Sequence, residues 1–418
     1  MSKKYKVADR FMRYVQIDTT SDPTSTSFPS SSKQRDLAVV LYNELVQLGL
    51  VDVEIDEWSY VFATIPSNVS HPTPTICFCS HIDTAPDCSG TNVKPILHAQ
   101  YNGNPITLPD DPTQVLRTED HPYLLQKIGD DLITASGLTL LGADDKAGVA
   151  IIMELASYLM AHPEIPHGPI RILFTPDEEV GRGVEQLDMK KLNAHFGYTL
   201  DGGPLGDIED ETFSADAATI SFYGVSAHPG YAKGKMVNAI KLASEFVSSF
   251  PKESWSPETT THREGFVHPT SIQGALEKAS VGLILRDHNT ELLATYAEKL
   301  HAIARQVVEA YPGARYEIEI QEQYRNMKEI LKDVPFVAQY AAQAMKEVGL
   351  TPKHAIIRGG TDGSRLSFMG LPCPNIFTGE MAIHSKLEYV SVQDMEKAID
   401  TLTALVQIWQ KHPWTQTL

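Results

Sequence analysis

The chain is short of positive charge. It carries 35 lysines and arginines against 53 aspartates and glutamates, a formal net charge of −18 over 418 residues. That balance argues against nucleic acid or an anionic membrane surface as a partner, because both require a basic face. Cysteine is scarce: Cys77, Cys79, Cys88 and Cys373 are the four present. Cys77 and Cys79 alternate within an apolar run and read as inert core thiols, since a C-x-C pair alone is a poor zinc signature. No apolar stretch approaches the roughly 20 residues that a membrane span needs. The polar, basic start Met1–Lys6 is followed by no apolar h-region, so no signal peptide is expected and a reducing cytoplasm is the simplest setting. Low-complexity tracts and internal repeats are also absent. What is present is an ordinary globular composition, 42% hydrophobic and 21% charged, in a chain long enough for two or three domains.

Periodicity organises the chain as α/β. Val7, Phe11 and Val15 recur at helical spacing, Leu37–Leu48 forms a second helix, and Val51–Ile55 and Phe62–Ile65 read as strands. Later apolar runs alternate with helices, which predicts a mixed, mainly parallel sheet with helices on both faces. Residues 213–326 follow another order: strand, helix, two strands around a turn, a long helix and a last strand. This βαββαβ pattern predicts a smaller ferredoxin-like α+β domain inserted into a catalytic domain made of residues 1–212 and 327–418. Residues 92–131, punctuated by proline and glycine, resist assignment.

Five polar clusters stand where an α/β sheet places its sites, beyond strand ends or at a helix start. Thr75–Cys79 runs into Ser80-His81-Ile82-Asp83. Gly142–Gly148, with Asp144 and Asp145, opens a helical run from Val149 to Leu159. Ile170–Phe174 runs into a segment holding Glu178 and Glu179. Phe196–Leu200 runs into Asp201-Gly202-Gly203, and Asn375–Phe377 leads on to His384. Imidazoles and carboxylates in this number suit a two-metal hydrolytic site, in which one carboxylate bridges ions about 3.5–4 Å apart. Asp83, two residues past His81 on the same side of an extended chain, is placed to orient the imidazole. An acid beside a ligand is placed to take a proton from the attacking water. Each piece alone has a bland reading: Asp144-Asp145 as a helix cap, Glu178-Glu179 as a solvated pair, Asp201 as turn chemistry. The force lies in their joint placement. Residue chemistry leaves open which member of each acid pair binds metal.

Ser80-His81-Ile82-Asp83-Thr84, Gly142–Gly148, Pro176–Gly181, Asp201–Gly203, Ser226-Ala-His-Pro-Gly230 and His384 together resemble the M20 metallopeptidase family across essentially the whole chain. The long segment between Asp83 and Asp144, with Arg358–Gly363, resembles its tripeptide aminopeptidase branch. The resemblance implies two zinc ions held by His81, Asp144, Glu179, Asp201 and His384, with Asp144 bridging. It implies Glu178 as general base, Asp83 behind His81, and a cis peptide after Asp144. The substrate implied is a short peptide, a tripeptide, with His228, Asn238 and Arg286 of the inserted lid, and Arg358 before the glycine turn Gly359-Gly360, as candidate substrate-binding residues. The lid's sheet edge is also a candidate homodimer surface.

Overall fold

The structure is a computed structural model that describes residues 5–414. The chain divides into two units: one holds the residues up to Asp210, Ile330–Ala355 and those from Thr361 onward, and the other holds Glu211–Glu329 with Ile356–Gly360.

The first unit is built on an eight-stranded mixed sheet. Its strands are β1 (Val51–Ile55), β2 (Val61–Ile65), β3 (Ile76–His81), β4 (Ile170–Thr175), β5 (Phe196–Gly202), β6 (Asp207–Thr212), β7 (Lys353–Ile357) and β8 (Asn375–Phe377), in the order β1-β2-β4-β3-β5-β8-β6-β7. The four central strands, β4, β3, β5 and β8, run parallel, with antiparallel neighbours on either side. Strand alternation divides the apolar side chains between two cores. Ile76 and Phe78 face a cluster with helices α1 (Val7–Tyr14), α3 (Ala143–Ala161), α4 (Phe336–Glu347) and α5 (Val392–Trp409), while α2 (Gln34–Gln47) also joins that side. Cys77 and Cys79 face the opposite side, against Leu366, Leu371 and Cys373. The cysteines are free thiols, and burial raises the thiol pKa of Cys77, Cys79 and Cys373. Cys77 and Cys79 are core residues, as their alternation predicts.

The helices follow from apolar spacing. Val7, Phe11 and Tyr14 line the buried stripe of α1, and Val392, Met395, Ile399, Leu402, Leu405 and Trp409 that of α5. Helix α3 is apolar nearly all round and lies against the sheet. A methyl group on Gly148 would stand 1.8 Å from the Leu200 carbonyl oxygen, so glycine permits this approach of helix to β5. Among the described residues no helix is long and apolar enough to cross a membrane.

The segment that periodicity leaves unassigned forms very short elements. Ile96–His98 and Leu132–Thr134 join Tyr389–Ser391 and Glu380–Met381 in a small antiparallel sheet, and Ile106–Thr107 pairs with Val115–Leu116. Tyr101, Leu108, Leu116, Leu124 and Tyr389 pack into a separate core beside it. This sheet matters for the site. Its hairpin Glu380–Met381/Tyr389–Ser391 carries His384 in the connecting turn, and its strand Leu132–Thr134 leads to Gly142 and Asp144.

The second unit contains the βαββαβ arrangement. Phe266–Gly274, Lys278–Asp287, Ser214–Tyr223 and Arg315–Tyr324 form, in that order, an antiparallel sheet. Helices Ala239–Ser248 and Thr290–Glu309 cover one face through Leu242, Phe246, Leu293 and Leu300.

Candidate metal centre

His81 ends β3 and is 2% exposed. Its backbone N–H donates to Asp145 Oδ2 at 3.1 Å. Its Nδ1 rests on Asp83, 3.1 Å from the carbonyl oxygen and 3.4 Å from Oδ1. That contact turns Nε2 toward Asp144 Oδ1 at 2.9 Å and Asp201 Oδ1 at 3.7 Å. Asp201 is clasped at its backbone by Asn375, whose Oδ1 accepts from Asp201 N at 3.0 Å and whose Nδ2 donates to Asp201 O at 2.6 Å.

A second group faces the first. His384 Nε2 lies 3.1 Å from Asp144 Oδ2 and 3.0 Å from Glu179 Oε2. His384 has φ +58°, a left-handed backbone that a non-glycine residue holds only where its surroundings fix it. Glu178 and Glu179 open a short 3-10 turn after β4. Asp83 holds this turn as well: Oδ1 accepts from Glu178 N at 3.0 Å and Oδ2 from Glu179 N at 3.2 Å. Asp83 thus aims an imidazole and seats the acid pair with one carboxylate. Buried Asp177, just before the turn, accepts from Ser30 N and Gln34 Nε2, each at 2.7 Å, tying the turn to the start of α2.

The result is two groups of three side chains that could each hold a metal ion, His81–Asp144–Asp201 and Asp144–Glu179–His384, the candidate ligand atoms of each lying within 4.8 Å of one another. Asp144 belongs to both and turns one oxygen to each. Asp145 and Glu178 belong to neither group. The Asp144–Asp145 peptide is cis, and both residues have non-helical backbone angles at the start of α3.

The electrostatics of the centre call for cations. Burial, with Asp144 adding to it, pushes Glu179 up to about 8. Burial raises Asp201 to about 6 against the pull of His81. Hydrogen bonds to Asp144 and Glu179 raise His384 to about 11. Glu178 stands well above the usual carboxylate range: desolvation is the main cause, with Asp201, Asp362 and Glu179 adding to it and His81 opposing. Among the described residues, Glu179 Oε1 is buried without a hydrogen-bond partner. A buried carboxylate oxygen without a partner is costly. A divalent cation in each group answers both the repulsion and the unpartnered oxygen, so these residues fit a pair of such ions.

The four candidate substrate-binding residues all lie in the second unit, Arg358 through the segment Ile356–Gly360. His228 lies in a loop closed at its base by a bridge between Val225 and Val237, and Asn238 follows that bridge. His228 is exposed, and its Nδ1 accepts from Gly230 N at 3.2 Å. Asn238 caps the helix Ala239–Ser248 by accepting from Ile240 N at 2.9 Å. Arg286 donates to Asp216 O, Leu285 O and Gln323 Oε1. Arg358 donates to His262 O and Glu264 O, both at 2.8 Å, and to Thr260 Oγ1 at 3.0 Å, while lying over Phe213.

Two supporting residues escape the sequence reading: Asn375, which clasps Asp201, and Glu388, which holds the approach to Asp144. The one available signal was an acid four residues past His384, at the start of an apolar pair.

The family model for peptidase family M20/M25/M40 matches residues 137–408. A Peptidase T from an Exiguobacterium species is 47% identical over 406 residues, covering 97% of this chain and 98% of that protein. A tripeptidase structure from Staphylococcus aureus superposes with a TM-score of 0.76 at 22% identity, over 97% of this chain and 98% of the other. A dinuclear metal-binding M20-family peptidase from Bacillus subtilis superposes with a TM-score of 0.66 at 15% identity, over 96% and 97%.

Proposed function

The chain belongs to the metal-dependent peptidase family M20/M25/M40, and from that premise we propose that it is a cocatalytic dizinc aminopeptidase that releases the N-terminal residue from tripeptides. The observation that carries the reading is the sharing of Asp144 between two three-ligand groups. His81, Asp144 and Asp201 would hold one zinc ion, and Asp144, Glu179 and His384 the other. Imidazole and carboxylate together are a donor set suited to zinc. When bound, the ions supply Lewis acidity, polarising the scissile carbonyl and acidifying water.

The protein's own groups do the rest. Glu178 stands beside the ligands without belonging to either group. It takes the proton of the attacking water as the carbonyl carbon–oxygen bond forms, and delivers it to the leaving amine nitrogen as the carbon–nitrogen bond breaks. Asp83 keeps His81 and the Glu178–Glu179 turn in register through the contacts described above. The likeness to Peptidase T, together with the implied tripeptide aminopeptidase branch, supports the choice of substrate.

Substrate choice is tested by assaying a tripeptide, the dipeptide lacking its last residue, the same tripeptide N-acetylated, and an N-acyl amino acid in parallel. The tripeptide with a free amine is expected to give the highest kcat/KM. Faster turnover of the N-acyl amino acid would replace the aminopeptidase reading with an amidohydrolase.

A further inference from the structure

The buried backbone leading into α3 turns at Gly142, φ +82°, and the helix becomes regular only after Asp145, whose Oδ1 caps it by accepting from Gly148 N at 3.1 Å. The buried N–H groups ahead of that point need another acceptor. It comes from more than 240 residues further along the chain. Glu388, 1% exposed, accepts through Oε2 from Leu141 N and Gly142 N, both at 2.7 Å, and through Oε1 from Asp144 N at 3.0 Å. The same residue closes the turn that carries His384. Glu388 N donates to Ser385 O at 3.4 Å, and Ser385 Oγ donates to Ala382 O at 2.6 Å. That turn is pinned at its base by the pairs Glu380–Val390 and Met381–Tyr389. One buried carboxylate therefore joins two ligand-bearing segments more than 240 positions apart in sequence.

We propose that Glu388 is a positioning residue that sets the aim of Asp144, and through Asp144 both metal half-sites at once. The inference rests on the reading of Asp144 as the shared ligand. Three backbone donors converge on a side chain that must accept from all of them. A carboxylate does so with two oxygens and no hydrogens. Glutamine would turn an NH2 group toward at least one of the backbone N–H groups. Aspartate keeps the charge but falls one methylene short. A displaced turn moves both Asp144 oxygens together, and ligand constellations tolerate displacements of only about 0.5 Å. Outer partners of metal ligands typically carry about 10–100-fold in affinity or activity.

The test is zinc titration of the chelated wild-type protein and of chelated Glu388→Gln, followed by calorimetry, with thermal unfolding of the same chelated samples and tripeptide kinetics at saturating zinc. Wild type is expected to take up two ions. Glu388→Gln is expected to bind both about 10–100-fold more weakly, with excess zinc restoring part of kcat at an unchanged KM. Equal zinc affinity in the two proteins overturns the proposal, even if the variant unfolds at a lower temperature, because Glu388 would then only hold the fold. Weakening confined to one ion overturns it too, because Asp144 serves both. Fewer than two ions on the wild type would defeat the shared-ligand reading itself, and this inference with it. If Glu388→Gln does not fold, Glu388→Asp is titrated in the same way. An intermediate loss on both ions supports the proposal, and wild-type affinity overturns it.

Discussion

Replacing Glu178 by glutamine leaves two zinc ions per chain in place and lowers tripeptide kcat by about 100- to 10,000-fold, the range that a positioned general acid–base group contributes. The expectation follows from where Glu178 stands. It lies next to Glu179 in the turn that Asp83 seats, yet only Glu179 reaches His384 and joins a ligand group. Glutamine preserves size and leaves the Glu178 N–H bond to Asp83 intact, because that bond uses the backbone. What it removes is the basic oxygen. Metal analysis and steady-state kinetics on the same preparation separate the outcomes. Unchanged turnover would remove Glu178 from the proton transfer. Loss of a metal ion would place it among the ligands instead.

Asp144→Asn is expected to weaken both ions together. Asp144 is the one residue common to the two groups, with Oδ1 toward His81 at 2.9 Å and Oδ2 toward His384 at 3.1 Å. An asparagine keeps one oxygen and puts an NH2 group, a donor that cannot hold a cation, in place of the other. It also takes away the negative charge that both ions share. The loss in zinc affinity should exceed the roughly 10–100-fold typical of outer-shell changes, and turnover should fall with it. His384→Ala is the informative partner, since that imidazole serves one group only. Titrating zinc into both chelated variants reads the difference: joint weakening for Asp144→Asn, weakening centred on one ion for His384→Ala. Two undiminished affinities in Asp144→Asn would separate Asp144 from the metals.

How much of this is legible in the sequence depends on the length of the element that carries it. Strands β3, β4 and β5 are apolar runs of six or seven residues ending in polar clusters, so their alternation and the positions of His81, the Glu178–Glu179 pair and Asp201 can be read directly. The long helices of the second unit are equally plain. Residues 92–131 are not, because strands of two or three residues show no period, and their core closes only when Tyr389 joins it. The order within each acid pair is also invisible to residue chemistry. The family resemblance suggests it, and in the structure Asp144 and Glu179 are the members that face an imidazole. Glu388 is hidden for a further reason: its partners are backbone N–H groups more than 240 positions away, which leave no trace in side-chain pattern. The fold is thus written in local periodicity, the ligands in the ends of strands, and the supports of the ligands in long-range contacts that a single sequence does not display.

The central claim is that five side chains, with Asp144 shared, hold two zinc ions that peptide hydrolysis requires. The most direct measurement is metal content per chain in purified protein, paired with tripeptide hydrolysis before chelation, after it, and after zinc is returned. The account predicts two zinc ions per chain, activity lost as they leave and regained as they return. Full hydrolysis by metal-free protein would contradict it.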